Sequence, residues 1–315
     1  MSTLPTPSHA VVTPGKNSRS AAHNPQARGY RPKQLTVGRI GIYVFLIFTA
    51  LFFLLPLFVM IITSLKTMDE IRTGDILALP QAFNFGAWIK AWGEACTGLN
   101  CNGVKVGFVN SVKILIPSTI MSIGLAAWTG YMLSFWRVRG SMILFTVLLV
   151  GAFIPFQVFI YPLVRVFASV GLFGTLPGII IIHTIFGLPV LTLLFRNFFS
   201  SLPIDLFKAS RVDGANIVQI FRYIMLPMAT PMLVVAVILQ VTGIWNDFIL
   251  GVVFAGLENL PMTVQLNNIV NSTMGEKEYN VNMAATIITA LVPLAVYFFS
   301  GRWFVRGIAA GAVKG

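Results

Sequence analysis

The sequence predicts an all-α integral membrane protein with six transmembrane helices, and three observations predict it. Hydrophobic residues make up 56% of the 315 residues, charged ones only 10%, and the mean hydropathy is +0.82; soluble domains carry about 25% charged residues. Six apolar segments come close to or exceed the roughly 20 residues needed to cross a bilayer core: Ile40 to Leu65, Phe108 to Phe135, Ser141 to Val164, Leu176 to Phe195, Leu226 to Phe254 and Met283 to Gly301. The basic residues also sort by side. With the N-terminus inside, 15 Lys and Arg fall on inner segments and 6 on outer ones, with Lys113 inside the second span, the bias that sets topology. Both termini are therefore expected in the cytoplasm. A net charge of +12 would otherwise suggest nucleic acid. No basic patch interleaved with aromatics is present, so membrane lipid and not nucleic acid is the expected surrounding.

Residues 1–34 hold five prolines among Ser, Thr, Asn, Lys and Arg, with no acid, and are expected to form a disordered cytoplasmic arm. The first apolar run is too long for a secretory signal and lacks a small-residue cleavage site, so it should remain as an anchor. Residues 35–315 then form one integral domain. In the long first outer loop stand Cys96 and Cys101; an oxidising compartment favours a short disulfide loop over two free thiols. Lys113, near the outer end of span two, can snorkel to headgroups. Pro155, Pro162, Pro189, Pro231 and Pro293 lie in or near spans, so kinked helices around a cavity are expected. His183 in span four is read as an interhelix hydrogen-bonder, since the sequence offers no chain of proton partners. Asp247, after Trp245 and Asn246 and deep in span five, should face the interior or water, because a carboxylate at that depth costs about 2.5 to 3.5 kcal/mol; the three are read as membrane-path residues or as a lock or gate.

Between spans four and five lies a polar island, residues 202–227. Pro203 suits a first helical position, Asp205 follows in the first turn, and Gly214 is the natural stop. Ile217, Ile220, Phe221 and Ile224 recur at i, i+3, i+4 and i+7 and make a helical stripe that needs a partner. The first helix has no clean stripe and reads as a short helix wedged into a cleft. This segment resembles the coupling motif of membrane subunits of ATP-binding-cassette importers, Glu-Ala-Ala, three residues, Gly, nine residues, Ile-x-Leu-Pro. Ala209, Asp213, Gly214, Ile224, Leu226 and Pro227 are in register, while Lys208 stands in place of the Glu and Ser210 in place of the second Ala. The resemblance implies coupling to a separate ATPase subunit through Pro203, Asp205, Lys208, Ala209, Ser210, Arg211, Asp213, Gly214, Ala215, Ile224, Leu226 and Pro227. It rests on Gly214 and the apolar positions rather than on an ion pair from position 208.

The tail, residues 302–315, ends in Gly-Ala-Val-Lys-Gly and is similar to the end of the smaller membrane subunit of maltose-type sugar importers. Residues 73–80 and 91–96 look most like permeases for glucose, mannose or α-glucosides. The resemblance implies a type I importer permease fold, a second permease subunit, an ATPase dimer that binds ATP and Mg, and a periplasmic sugar-binding protein received by the outer loops, residues 66–105 and 255–282. The chain has no G-x-x-x-x-G-K-[ST], no H-E-x-x-H and no CxxC, so it is expected to be no enzyme and to carry no cofactor or metal of its own. The alternative is a secondary sugar transporter driven by an ion gradient, for which Asp247 is the one intramembrane acid that qualifies.

Overall fold

Apolar segments in a bilayer can satisfy their backbone groups only internally, and helix is the consequence here. The computed structural model describes residues 37–97, 100–136, 139–272 and 276–312, with side chains up to residue 301. The predicted arm, residues 1–34, and the last three residues of the tail lie outside the described residues. Contacts divide the chain into a unit up to Phe53 and a unit from Leu54 onward. The first contributes residues 37–53 of α1 (Val37–Ser64); the end of α1 and every later helix belong to the second.

After α1 come two short helices, α2 (Met68–Thr73) and α3 (Gly86–Gly93), then the 31-residue α4 (Lys105–Phe135). Next are α5 (Ser141–Phe153), α6 (Gln157–Ser169) and α7 (Leu176–Ser201). The polar island supplies α8 (Ile204–Val212) and α9 (Ile217–Ile220), a π-helical turn at Phe221–Met225, and α10 (Leu226–Met228). The chain continues through α11 (Thr230–Asn246), α12 (Ile249–Phe254), α13 (Met262–Val270) and α14 (Tyr279–Ala312).

Among the described residues four helices are long and apolar enough to cross a membrane, and two bent pairs raise the number to as many as six. The bends correct two predicted spans. Ser141 to Val164 is not one rod: α5 and α6 meet at 110°, because Pro155 offers no N–H and holds Ile154 extended (φ −75°, ψ 129°). Leu226 to Phe254 breaks as well. The helix from Ile217 turns by 78° at Ala229 before Pro231, and α11 stops at Asn246. Pro162, Pro189 and Pro293 stay inside helices, as membrane helices tolerate.

The central pair is α4 and α7, brought close by small residues as membrane packing requires. A Cβ on Gly130 would come 2.7 Å from the Phe195 Cβ. Beside it the Ser134 hydroxyl donates to the Arg196 carbonyl at 3.1 Å. Three buried clusters follow α4 along its length. One gathers Tyr131, Phe195, Phe199, Ile220 and Met225; a middle one holds Ile114, Ile179, Ile182 and Phe254; the third, at the other end, holds Val104, Trp245, Met262 and Ala284.

Candidate functional site

The polar island is built from backbone outward. Leu202 leaves α7 extended, and Pro203 is the N-cap residue of α8 rather than its first helical residue (φ −59°, ψ 122°). Asp205 lies in the first turn, at the positive end of the helix dipole, 3.5 Å from the Lys208 ammonium. At the other end the Gly214 N–H donates to the Arg211 carbonyl at 3.1 Å and the Ala215 N–H to the Ser210 carbonyl at 3.0 Å. This is a Schellman closure, and its left-handed position falls on Gly214 at φ +82°. The chain then restarts at once. Asn216 accepts the Gln219 N–H at 2.9 Å while the Gln219 side chain accepts the Asn216 N–H at 2.8 Å, a reciprocal cap not read from the sequence although Asn-x-x-Gln was visible there.

Aromatic side chains fasten this corner to the spans. Phe207 stacks on Phe135 at 4.8 Å and 9° and meets Trp136 edge-on at 6.1 Å. The Tyr131 hydroxyl donates to the Ile217 carbonyl at 3.1 Å, and Phe221 meets Trp128 edge-on at 5.0 Å. The expected stripe is corrected by one residue. Ile220 and Met225, five apart, are both fully buried, because the π turn winds in one extra residue; Ile224 and Leu226 pack at the edge of the same cluster. The partner that the stripe needed is therefore the chain's own α4 and α7.

α8 presents the rest of its surface. Only Ser210 is buried, its hydroxyl donating to the Leu206 carbonyl at 2.7 Å. Asp205, Lys208, Ala209, Arg211, Asp213, Gly214 and Pro227 are exposed and Ala215 is half-buried. Ile204 and Leu206 are 46% and 39% exposed and Val212 87%. The cleft expected around this helix is thus not made by the described residues, and an apolar, charged and turn-closed surface stands open.

The second predicted site lies at the end of α11. Asp247 is not inside a span helix, as the continuous fifth span implied, but at the break, where its carboxylate accepts the Leu250 and Gly251 N–H groups at 3.3 and 2.8 Å. It caps α12. The same carboxylate stands 3.9 Å from His183 Nε2, a proximity hidden in the sequence because the two residues are 64 positions apart. The Gln240 amide donates to the His183 carbonyl at 3.5 Å, in the space opened by Gly187, where a Cβ would come 2.4 Å from it. Trp245 is buried and its indole N–H donates to the Thr289 carbonyl at 2.9 Å, while Asn246 is exposed. These groups lock α7, α11, α12 and α14 together.

At the end of the fold away from α8, Cys96 and Cys101 are joined in a disulfide. Arg72 pairs with Glu276 at 2.7 Å and Lys90 with Glu278 at 2.6 Å, tying α2 and α3 to the segment that leads into α14. Asn110 on α4 donates to the Glu258 and Leu260 carbonyls at 3.0 and 3.2 Å, and Ser111 accepts the Met262 N–H at 2.8 Å.

Residues 122–310 match the family described as binding-protein-dependent transport system inner membrane component. The chain is 32% identical over 288 residues to the osmoprotective compounds uptake permease protein of Synechocystis, covering 88% of this chain and 92% of that one. It is 37% identical over 224 residues to the alpha-glucoside transport system permease protein of Rhizobium meliloti, covering 69% of this chain and 58% of that one. A solved bacterial ABC transporter that imports the acidic polysaccharide alginate shares the fold, with a TM-score of 0.70 at 21% identity over 86% of this chain and 99% of that one. The motif spacing, the broken apolar spans and these matches agree: the chain belongs to the family of binding-protein-dependent transport system inner membrane components.

Proposed function

We propose that this chain is the permease subunit of an ATP-driven sugar importer, and that α8 to α10 couple it to a separate ATPase. The observation that carries the coupling role is the contrast on α8. One side chain, Phe207, is held by three aromatic rings of the spans, while the remaining apolar and charged residues are exposed. An element locked to the spans on one side and open on the other transmits a displacement instead of absorbing it. In this reading ATP and Mg sit in the paired ATPases, a second permease subunit completes the path, and the outer helices receive a periplasmic binding protein. The charge bias supports the orientation this reading needs, with α8 and both termini on the cytoplasmic side of an inner membrane.

The sugar class is supported by relatives named for alpha-glucoside transport and, at 28% identity over 87% of this chain, for glucose import in Saccharolobus solfataricus. Glucose, mannose or an α-glucoside is the proposed cargo. The decisive experiment pairs Gly214→Trp with labelled-sugar uptake and co-purification of the ATPase. The variant is expected to insert in the membrane yet lose the ATPase and uptake together. ATPase retained at wild-type level, or uptake by the purified chain without nucleotide, would overturn the coupling role.

A further inference from the structure

We propose that the groove between α4 and α5 is a binding site for one anionic phospholipid. The groove has a volume of about 410 Å³ and is lined by Trp128, Met132, Leu133 and Trp136 from the end of α4 and by Leu144 of α5. Both helices belong to apolar spans or span pairs, so the groove is continuous with the acyl region of the bilayer. Hydrocarbon fills such a space where water would leave its lining without partners.

Charge selects the headgroup. Arg139 lines the groove, no acidic side chain does, and among the described residues Arg139 has no ion-pair partner. A second cation, Arg211, stands with its guanidinium 5.2 Å from the ring of Trp136. The first turn of α5 begins at Gly140, which offers no side-chain cap, and holds no acid, so its N–H groups add positive potential at the same mouth. Basic pockets between spans of this kind take anionic headgroups. Trp136 is also one of the rings against which Phe207 of α8 rests. The lipid is therefore part of the bed under α8, on the cytoplasmic leaflet if the proposed orientation holds.

The test uses the assembled transporter, purified from nanodiscs of mixed phosphatidylglycerol and phosphatidylcholine and examined by native mass spectrometry. Wild type is expected to retain one phosphatidylglycerol per copy of this chain in preference to phosphatidylcholine. Arg139→Lys should keep it, Arg139→Ala should hold it roughly fivefold more weakly, the effect of about 1 kcal/mol per basic residue, and Leu144→Trp should exclude both lipids. Equal retention of the two lipids by wild type, a comparison that needs no variant, would overturn the site. So would undiminished retention in Arg139→Ala, displacement by inorganic phosphate alone, or a cross-link from Leu133→Cys showing the groove covered by another subunit. The readout is bound lipid, so it stands or falls independently of the cargo and of ATP coupling.

Discussion

At the scale of single residues, Gly214 and Phe207 do different work in the same corner. A side chain at φ +82° is strained, although a Cβ on Gly214 would meet nothing within 4 Å in this chain. Gly214→Ala should therefore cost only about 1 kcal/mol within the subunit. Any loss of ATPase co-purification far beyond that factor measures a surface pressed against the turn. Phe207→Ala removes the stacked and edge-on contacts, worth about 0.5 to 1.5 kcal/mol per pair beyond area burial. It is expected to raise hydrogen exchange across α8 while leaving α7 protected. Gly214 was legible from spacing alone, since a stop between two helices asks for a left-handed residue. Phe207 was not, because its value depends on Phe135 and Trp136, about seventy positions earlier, and the sequence showed only an unpatterned apolar residue.

Element by element, the caps decide where helices begin. Asn216→Ala should fray α9 at a cost of about 0.5 to 2 kcal/mol, seen as faster exchange of the Gln219 amide, with α8 unaffected because its own closure uses the Gly214 and Ala215 N–H groups and not the Asn216 side chain. Asp247→Asn should keep only one of the two N–H bonds that the carboxylate accepts from α12, and Asp247→Ala neither, so thermal stability of the detergent-solubilised chain should fall stepwise from wild type to Asn to Ala. In the loop after α1, Glu70 is held below the ordinary carboxylate value of 4.5, first by the Thr67 N–H and then by the Gln81 N–H. A depressed carboxylate stabilises above its unfolded value and loses that contribution as pH falls through the folded one. Exchange at the Gln81 amide should accordingly rise below about pH 4.5, and Glu70→Gln should abolish that pH dependence. Span existence was readable from apolar length, but the corners at Pro155 and Ala229 were not, since a proline inside an apolar run kinks one helix and is carried unbroken in another, as Pro189 is in α7.

For the whole molecule, side charges and hydropathy marked the membrane class, and a twenty-residue spacing marked the family before any packing was known. What they could not show was how distant segments meet. The Arg72–Glu276 and Lys90–Glu278 pairs, exposed and worth about 0 to 1 kcal/mol each, are expected to weaken in high salt, with faster proteolysis at residues 276–278. Charge reversal of both members, Arg72→Glu with Glu276→Arg, should restore protection lost in either single variant. Beneath these contacts runs α4, 31 residues or about 46 Å of continuous helix. Its one end holds Phe207 and Ile217, and its other holds the loop of Glu258 and the start of α13. A beam fixed in this way reports across the bilayer: a staple joining Asn110→Cys to Leu260→Cys should still the far knuckle as surely as a hand on one arm of a balance. Pro117, the one proline in α4, stands near its middle and leaves one backbone bond of the beam unmade.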